Sequence, residues 1–291
     1  MNTATTPLTD RERMARRDLS FTPADPGRAK TLTPAQVERY NAEGFLNRLD
    51  VFDELEADAN RAYFDYLLAA MRVHNDGRDS YAINGYHRCC EGIYDLVADP
   101  RILDVVEDII GPNIVAWATH FFCKLPHDPK AVPWHQDASY WPFEKSLTTT
   151  VWLAIDDADE ENAAMRVLPG THTQGPLRWK DTDAPAVLNQ EIVDVDRFGE
   201  PVSINLKAGQ IEVHSDMLAH GSEPNRSDRR RCGLTIRYCP PEAAVFRPAY
   251  AKGAVLCRGE DPHNASAWGY CERPCGNHLA PIFDTKPIGA N

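Results

Sequence analysis

The sequence predicts a mainly β domain, an antiparallel sandwich or barrel with flanking helices. Three observations carry this prediction. Two segments with helical apolar spacing lie before residue 112, five short β-branched or aromatic runs separated by turn residues lie after it, and no internal repeat divides the chain. At 291 residues the chain is long for one average domain but ordinary for a single sandwich or barrel with helical decoration.

The first thirty residues are polar and rich in Pro and Arg, which reads as a flexible arm over 1–30 followed by one domain over 31–291. Order is expected from Thr33, a helix cap with Pro34 at the first helical position and Gln36 three residues on. A short strand over 44–46 should follow. From 54 to 73, Leu55, Ala59, Tyr63, Tyr66, Leu67 and Met71 recur at helical spacing, predicting a long amphipathic helix that covers one face of a sheet. A second helix begins after Pro100, carries Ile102, Leu103, Val105, Val106, Ile109 and Ile110, and stops at Gly111-Pro112, where proline cannot continue the hydrogen-bond ladder. Strands are expected over 114–124, 148–155, 164–168, 211–214 and 233–238. The polar stretch between His172 and Val202 reads either as a lid or as a solvated loop, and the C-terminal tail is loop-rich.

Acidic residues number 43 against 31 basic ones, a formal charge of −12 that works against nucleic acid or an anionic membrane surface as partner. A small molecule is the expected partner, and the sequence leaves the oligomeric state open. No stretch approaches the roughly 20 apolar residues of a membrane span. The amino terminus, with Arg11, Arg13, Arg16 and Arg17 among polar residues, lacks the apolar segment of a signal peptide, so a cytoplasmic location is expected. Cys89 and Cys90 are adjacent and Cys232 and Cys239 share a presumed strand, which favours reduced thiols. Cys271, Cys275 and His278 have zinc-like spacing but lack a second pair. Acceptor patterns for glycosylation at Asn225 and Asn264 are discounted as chance matches.

The chemistry concentrates in Trp134-His135-Gln136-Asp137 and in His220-Gly221-Ser222, followed by Arg231. A histidine and a carboxylate at i and i+2 on a strand share a face, so His135 and Asp137 can share one metal ion. With His220 from a later strand they complete a two-histidine, one-carboxylate set that leaves positions open on Fe(II), which points to oxygen chemistry. Parity also sends Arg231, Gly233, Thr235 and Arg237 to one face and Arg230 to the other. His120, Phe122 and Lys124 share a face of the earlier strand.

Helices followed by short strands bearing this triad resemble the phytanoyl-CoA dioxygenase family of Fe(II)- and 2-oxoglutarate-dependent oxygenases over residues 32 to 245. The resemblance rests on Pro133-Trp134-His135-Gln136-Asp137, Tyr140-Trp141-Pro142-Phe143, Trp152, Asn162, Arg166 to His172, and His220-Gly221-Ser222 with Asn225 and Arg231. It implies a double-stranded β-helix (jelly-roll, cupin-like) core. It makes His135, Asp137 and His220 ligands of Fe(II), and Arg231 the cation that grips the distal carboxylate of 2-oxoglutarate, a task suited to a planar guanidinium. Ser222 and Trp152 match cosubstrate-pocket positions, and Thr150 shares the face of Trp152. The implied reaction consumes O2, releases succinate and CO2, and hydroxylates the substrate. Related halogenases replace the carboxylate ligand with Gly or Ala, and this chain retains Asp137. A second HxD, His214-Ser215-Asp216, lacks the surrounding signature, so His214 is read as structural.

Candidate substrate contacts are Arg237, Lys124, His120, Asn84, His87, Tyr140, Trp141 and Phe143. Arg237 reads equally as a contact for an anionic substrate group or as half of a buried ion pair. The family acts on varied metabolites, and the absence of a basic cluster suited to a CoA nucleotide favours a compact polar one. Two other classes fit the same scaffold: a cupin-like metal-dependent isomerase without a keto acid, and a ligand-binding β-sandwich without turnover. Arg231 argues against both, since neither needs a cation there.

Overall fold

The computed structural model describes residues 8–182, 186–262, 264 and 268–282. Helices come first. α1 (Asp10–Ala15) and α2 (Pro34–Glu43) each open on a reciprocal cap, Thr9 with Glu12 and Thr33 with Gln36. α2 ends on Gly44, whose φ of 88° suits glycine, and the chain turns directly into β1 (Phe45–Asp50). α3 (Glu54–Arg72) is capped by Asp53, α4 (Glu91–Val97) is short, and α5 (Pro100–Ile110) stops at Gly111 before Pro112.

The strands follow as β2 (Ile114–Lys124), β3 (Val132–His135), β4 (Thr149–Ala154), β5 (Arg166–Val167), β6 (Trp179–Asp181) and β7 (Gln190–Ile192). Next come β8 (Val202–Ser203), β9 (Gln210–Ser215), β10 (His220–Ser222) and β11 (Arg231–Cys239). A single-turn α6 (Pro248–Ala251) leads into β12 (Lys252–Arg258) and β13 (Gly269–Tyr270). The larger sheet runs β1-β9-β4-β11-β2-β12-β13 and the smaller one β3-β10-β5-β8, with β6 and β7 paired apart. All neighbours in the two main sheets are antiparallel except β12 with β13. This is the jelly-roll, double-stranded β-helix arrangement.

Alternation along the central strands divides core from site. Val151, Leu153, Cys232, Leu234, Ile236 and Tyr238 face outward, buried against Phe64, Leu67 and Met71 of α3 and Ile102 and Val106 of α5. The other parity turns Thr150, Trp152, Arg231, Thr235 and Arg237 toward the smaller sheet, where they share a pocket with His135 and His220.

Three expectations need correction. Residues 8–30 are not a loose arm: Arg13 pairs with Glu144, Arg17 donates to the carbonyls of Ala138 and Trp141, and Leu19 and Ala24 are buried. The arginines that made this stretch look solvated are its anchors, because a guanidinium satisfies several carbonyls at once. Residues 1–7 lie outside the described residues. In α3 the buried row is Phe64, Leu67, Leu68 and Met71, a strict i, i+3, i+4, i+7 set, and Leu55 and Tyr66 fall off it and are exposed. The 172–202 stretch is more than a bare loop, since it holds the β6–β7 hairpin and buries Leu177 and Ile192 beside Leu168 and Ala219. Its residues 183–185 lie outside the described residues.

All eight cysteines are free thiols. Cys271, Cys275 and His278 form no metal-binding cluster among the described residues. Asn225 is buried with its amide donating to the carbonyls of Leu125 and Arg229, while Ala265 and Ser266 of the other acceptor pattern lie outside the described residues. Among the described residues, no helix is long and apolar enough to cross a membrane.

Candidate metal centre

The smaller sheet sets His135 of β3 directly opposite His220 of β10, with ring centroids 4.1 Å apart. Asp137 lies on the helical turn just after β3, and the extended backbone of Gln136 carries the strand parity that far. The three buried residues each offer a ligand atom within 4.8 Å of the others, the one such group among the described residues. Gly221, between the ligand strand's His220 and Ser222, sits where a Cβ would come within 2.9 Å of the Val132 carbonyl.

The imidazoles are oriented for coordination. Nδ1 of His135 lies 2.8 Å from the Pro133 carbonyl, and Nδ1 of His220 lies 3.0 Å from the Leu218 carbonyl. A carbonyl only accepts, so each Nδ1 bears the proton and each Nε2 presents its lone pair to the shared centre. Burial and the neighbouring imidazoles hold the pKa of His220 well below its ordinary value, keeping it neutral. Burial pushes the Asp137 carboxyl upward, but the positive charges of His214 and Arg237 outweigh it and hold the group well below the usual carboxylate range. Two imidazoles that present Nε2 to one centre and a carboxylate are a donor set that fits a divalent transition metal.

Asp137 is also held from the larger sheet. Thr150 Oγ1 donates to its Oδ2 at 3.2 Å, and His214 Nε2 stands 3.8 Å from the same oxygen. His214 is clamped at Nδ1 by Glu212, 2.8 Å away; despite burial, that carboxylate raises the imidazole to about 9 and keeps it charged. Asp216 lies past the end of β9 and takes hydrogen bonds from the Ser146 hydroxyl and the Thr148 N–H, so the second HxD does not converge on a metal. His214 nonetheless lines the pocket, which its sequence neighbourhood did not reveal. The β4–β9 register, pairing Thr150 with His214, places it there.

Arg231 is buried on the inner face of β11. Its Nη2 donates to Ser222 Oγ and its Nε to the Ala163 carbonyl, both at 3.1 Å, and Trp152 lies under the guanidinium at 5.7 Å. Gly233 makes room for that ring, because a Cβ there would come within 2.0 Å of it. Arg229 and Arg230 spend their charges elsewhere, on Asp159 and Glu161 and on Asp156 and Asp65. Arg231 bonds to a hydroxyl and to carbonyls, so its positive charge is left facing the pocket that holds the triad.

An outer cavity of about 440 Å³ opens from the same centre and shares His135 and Asp137 with it. Asn84, His120, Tyr140 and Arg237 line it. His120 donates its Nε2–H to the Tyr81 carbonyl, 2.6 Å away, and burial lowers its pKa to about 4, so it is neutral. The remaining substrate candidates sit elsewhere. Lys124 donates its ammonium to the carbonyls of Lys130, Ser222 and Glu223, and so anchors the strand that carries Ser222 instead of reaching a substrate. His87 is buried between the Thr119 hydroxyl and the Gly253 carbonyl. Trp141 and Phe143 pack on Trp117 in the core. Phe122 and Thr235, which strand parity places on the site face, do line the pocket, as does Met165 from the predicted strand over 164–168, whereas Tyr81 and Leu188 enter from outside the regular strands and carried no periodic signal.

The sequence profile of the phytanoyl-CoA dioxygenase (PhyH) family matches residues 39–233. The chain is 33% identical over 147 residues to the peroxisomal phytanoyl-CoA dioxygenase of Bos taurus, covering 48% of this chain and 43% of that protein. It is 29% identical over 161 residues to the "probable alpha-ketoglutarate-dependent hypophosphite dioxygenase" of Stutzerimonas stutzeri, covering 54% of this chain and 56% of that one. The chain therefore spans about half the length of these curated relatives. Among solved structures, the apo form of the non-heme monooxygenase ThoJ superposes with a TM-score of 0.71 at 28% identity, covering 82% of this chain and 88% of that chain.

Proposed function

Since the chain belongs to the phytanoyl-CoA dioxygenase family, we propose that it is an Fe(II)- and 2-oxoglutarate-dependent oxygenase that hydroxylates an aliphatic C–H bond of a small polar metabolite. The observation that carries this reading is the pairing of a buried His135–Asp137–His220 set with a buried, carboxylate-free Arg231 in one pocket. The name of the hypophosphite dioxygenase relative supports the keto acid, and that of ThoJ supports the oxygenase class. One oxygenase domain covers residues 31–291 in this reading, with residues 8–30 packed on it.

His135 and His220 through Nε2, and Asp137 through a carboxylate oxygen, would hold Fe(II). When bound, the iron and 2-oxoglutarate supply the oxidising power, with O2 reduced as the keto acid is cleaved to succinate and CO2. The chain's own residues do the rest. Arg231 and Ser222 bind the distal carboxylate of 2-oxoglutarate by charge-assisted hydrogen bonds, with Trp152 packed against the guanidinium. Thr150 and His214 keep Asp137 oriented and ionised. Phe122, Val132 and Met165 exclude water from the inner pocket, and the outer cavity seats the substrate beside the metal ligands.

The test is an anaerobic titration of the metal-free protein with Fe(II) and then 2-oxoglutarate, following the weak visible charge-transfer band of a chelated keto acid. The band is expected in the wild type, absent in His135→Ala and weakened in Arg231→Ala. Iron binding without a band would overturn the keto-acid assignment and favour the metal-dependent isomerase. No iron binding would favour a ligand-binding sandwich.

A further inference from the structure

Resting on the oxygenase reading above, we propose that the substrate carries a compact oxyanion, a carboxylate or a phosphonate, and that Arg237 is the residue that receives it. Arg237 lies six residues beyond Arg231 on the same face of β11, opposite Thr150 on β4 and Ala118 on β2. It borders the outer cavity and the inner pocket, as His135 and Asp137 do. A group bound to it therefore sits next to the metal ligands, which is where a substrate must lie to present a C–H bond.

The guanidinium is built to wait for an anion. Arg237 is only 4% exposed, yet its Nε and Nη1 have no hydrogen-bond partner among the described residues. Buried polar N–H groups are normally satisfied, because leaving them unpaired forfeits their hydration without return. The Trp141 ring lies 5.2 Å from the guanidinium carbon and is itself wedged edge-on against Trp117, with centroids 4.8 Å apart. This stack fixes the guanidinium plane before any ligand arrives, which lowers the ordering cost of binding.

The other charged groups at the cavity are already committed. Arg78 is paired with Asp76 and donates to the Tyr86 hydroxyl, Asp79 is paired with Lys130, and His120 is neutral. Asp137, the carboxylate that faces Arg237, is engaged by Thr150 and by the charged His214. Within the outer cavity, Arg237 is thus the cation without a committed partner among the described residues. Two arginines without a carboxylate ion-pair partner among the described residues lie on one strand face and divide the work, Arg231 taking the keto acid and Arg237 the substrate.

The test uses the full chain loaded with Zn(II) and N-oxalylglycine, an unreactive keto-acid analogue, so that the Arg231 side is filled and no turnover occurs. Matched probes are then titrated calorimetrically: benzoate, 3-phenylpropionate and cyclohexanecarboxylate, their phosphonate counterparts, and their primary amides. The expected result is at least one carbon skeleton bound about tenfold tighter as the anion than as the amide, with the preference gone in Arg237→Met. The carboxylate and phosphonate arms distinguish the two oxyanions. An anion-to-amide ratio near one for every skeleton in the wild type, or a ratio unchanged in Arg237→Met, would overturn the proposal. The wild-type comparison stands without the variant should the variant not fold. N-oxalylglycine binding reports the underlying reading separately: it should survive in Arg237→Met and be weakened in Arg231→Met.

Discussion

Thr150 Oγ1 donates a hydrogen bond to Asp137 Oδ2 across 3.2 Å, tying a strand of the larger sheet to a metal ligand that follows a strand of the smaller one. A ligand's outer partner fixes its orientation, and its loss typically weakens metal binding by about 10- to 100-fold. Thr150→Val, equal in shape but without the hydroxyl, should lower Fe(II) or Zn(II) affinity by about tenfold, and Thr150→Ser should restore it. Competition against a chelating dye reads the effect; equal affinities in all three proteins would show that the hydrogen bond does not orient the carboxylate.

Metal should stabilise the fold, because the three ligand side chains converge only in the native chain. At a free Zn(II) concentration of about 100 times Kd, linkage predicts a gain of about 2.7 kcal/mol. Thermal unfolding should therefore move upward with metal in the wild type and stay put in His220→Ala. Equal shifts in both proteins would place the ion elsewhere.

Gly233 is a packing device for the cosubstrate pocket. A methyl group there meets the Trp152 ring at 2.0 Å, which is incompatible with the present position of the indole. Gly233→Ala should cost about 1–3 kcal/mol in urea unfolding and weaken keto-acid binding as Trp152 leaves Arg231. An unchanged unfolding midpoint would mean that the ring has room to move at no cost.

Asp216 makes stability depend on pH. Burial, with a contribution from Asp137, raises its carboxyl from 3.8 to about 7 against hydrogen bonds from Ser146 and Thr148. The folded chain then holds a proton that the unfolded chain has released, so the stabilising contribution is full below about pH 4 and is lost as pH rises through about 7. Asp216→Asn mimics the protonated acid and does not titrate. The stability of the wild type relative to this variant should fall between those two pH values, and a pH-independent difference would refute the assignment.

Much of this protein was legible locally. The Thr33 capping box, the Gly111-Pro112 stop and the alternation along β4 and β11 are signals between residues a few positions apart, and the structure places helices and strands where they point. His135 and Asp137 share a centre because strand parity is a short-range property, and the same parity separated Arg231 from Arg230. Where local reading failed, the deciding contact was distant. Arg17 looked solvated until the carbonyls of Ala138 and Trp141 were brought to it, and Lys124 looked like a pocket cation until those of Lys130, Ser222 and Glu223 claimed its ammonium.

The sequence by itself determined element types, the faces of the strands and the shared face of His135 and Asp137, since periodicity, capping and strand parity are set by neighbours along the chain, while His220 and Arg231 were pointed to by the motifs of the family resemblance. Tertiary structure alone decided that His214 stands behind Asp137, that Tyr81 and Leu188 reach the site, and that Nε and Nη1 of Arg237 have no partner among the described residues. Those outcomes depend on sheet register and on which distant groups are consumed by other bonds, and neither quantity is written in any short stretch of residues.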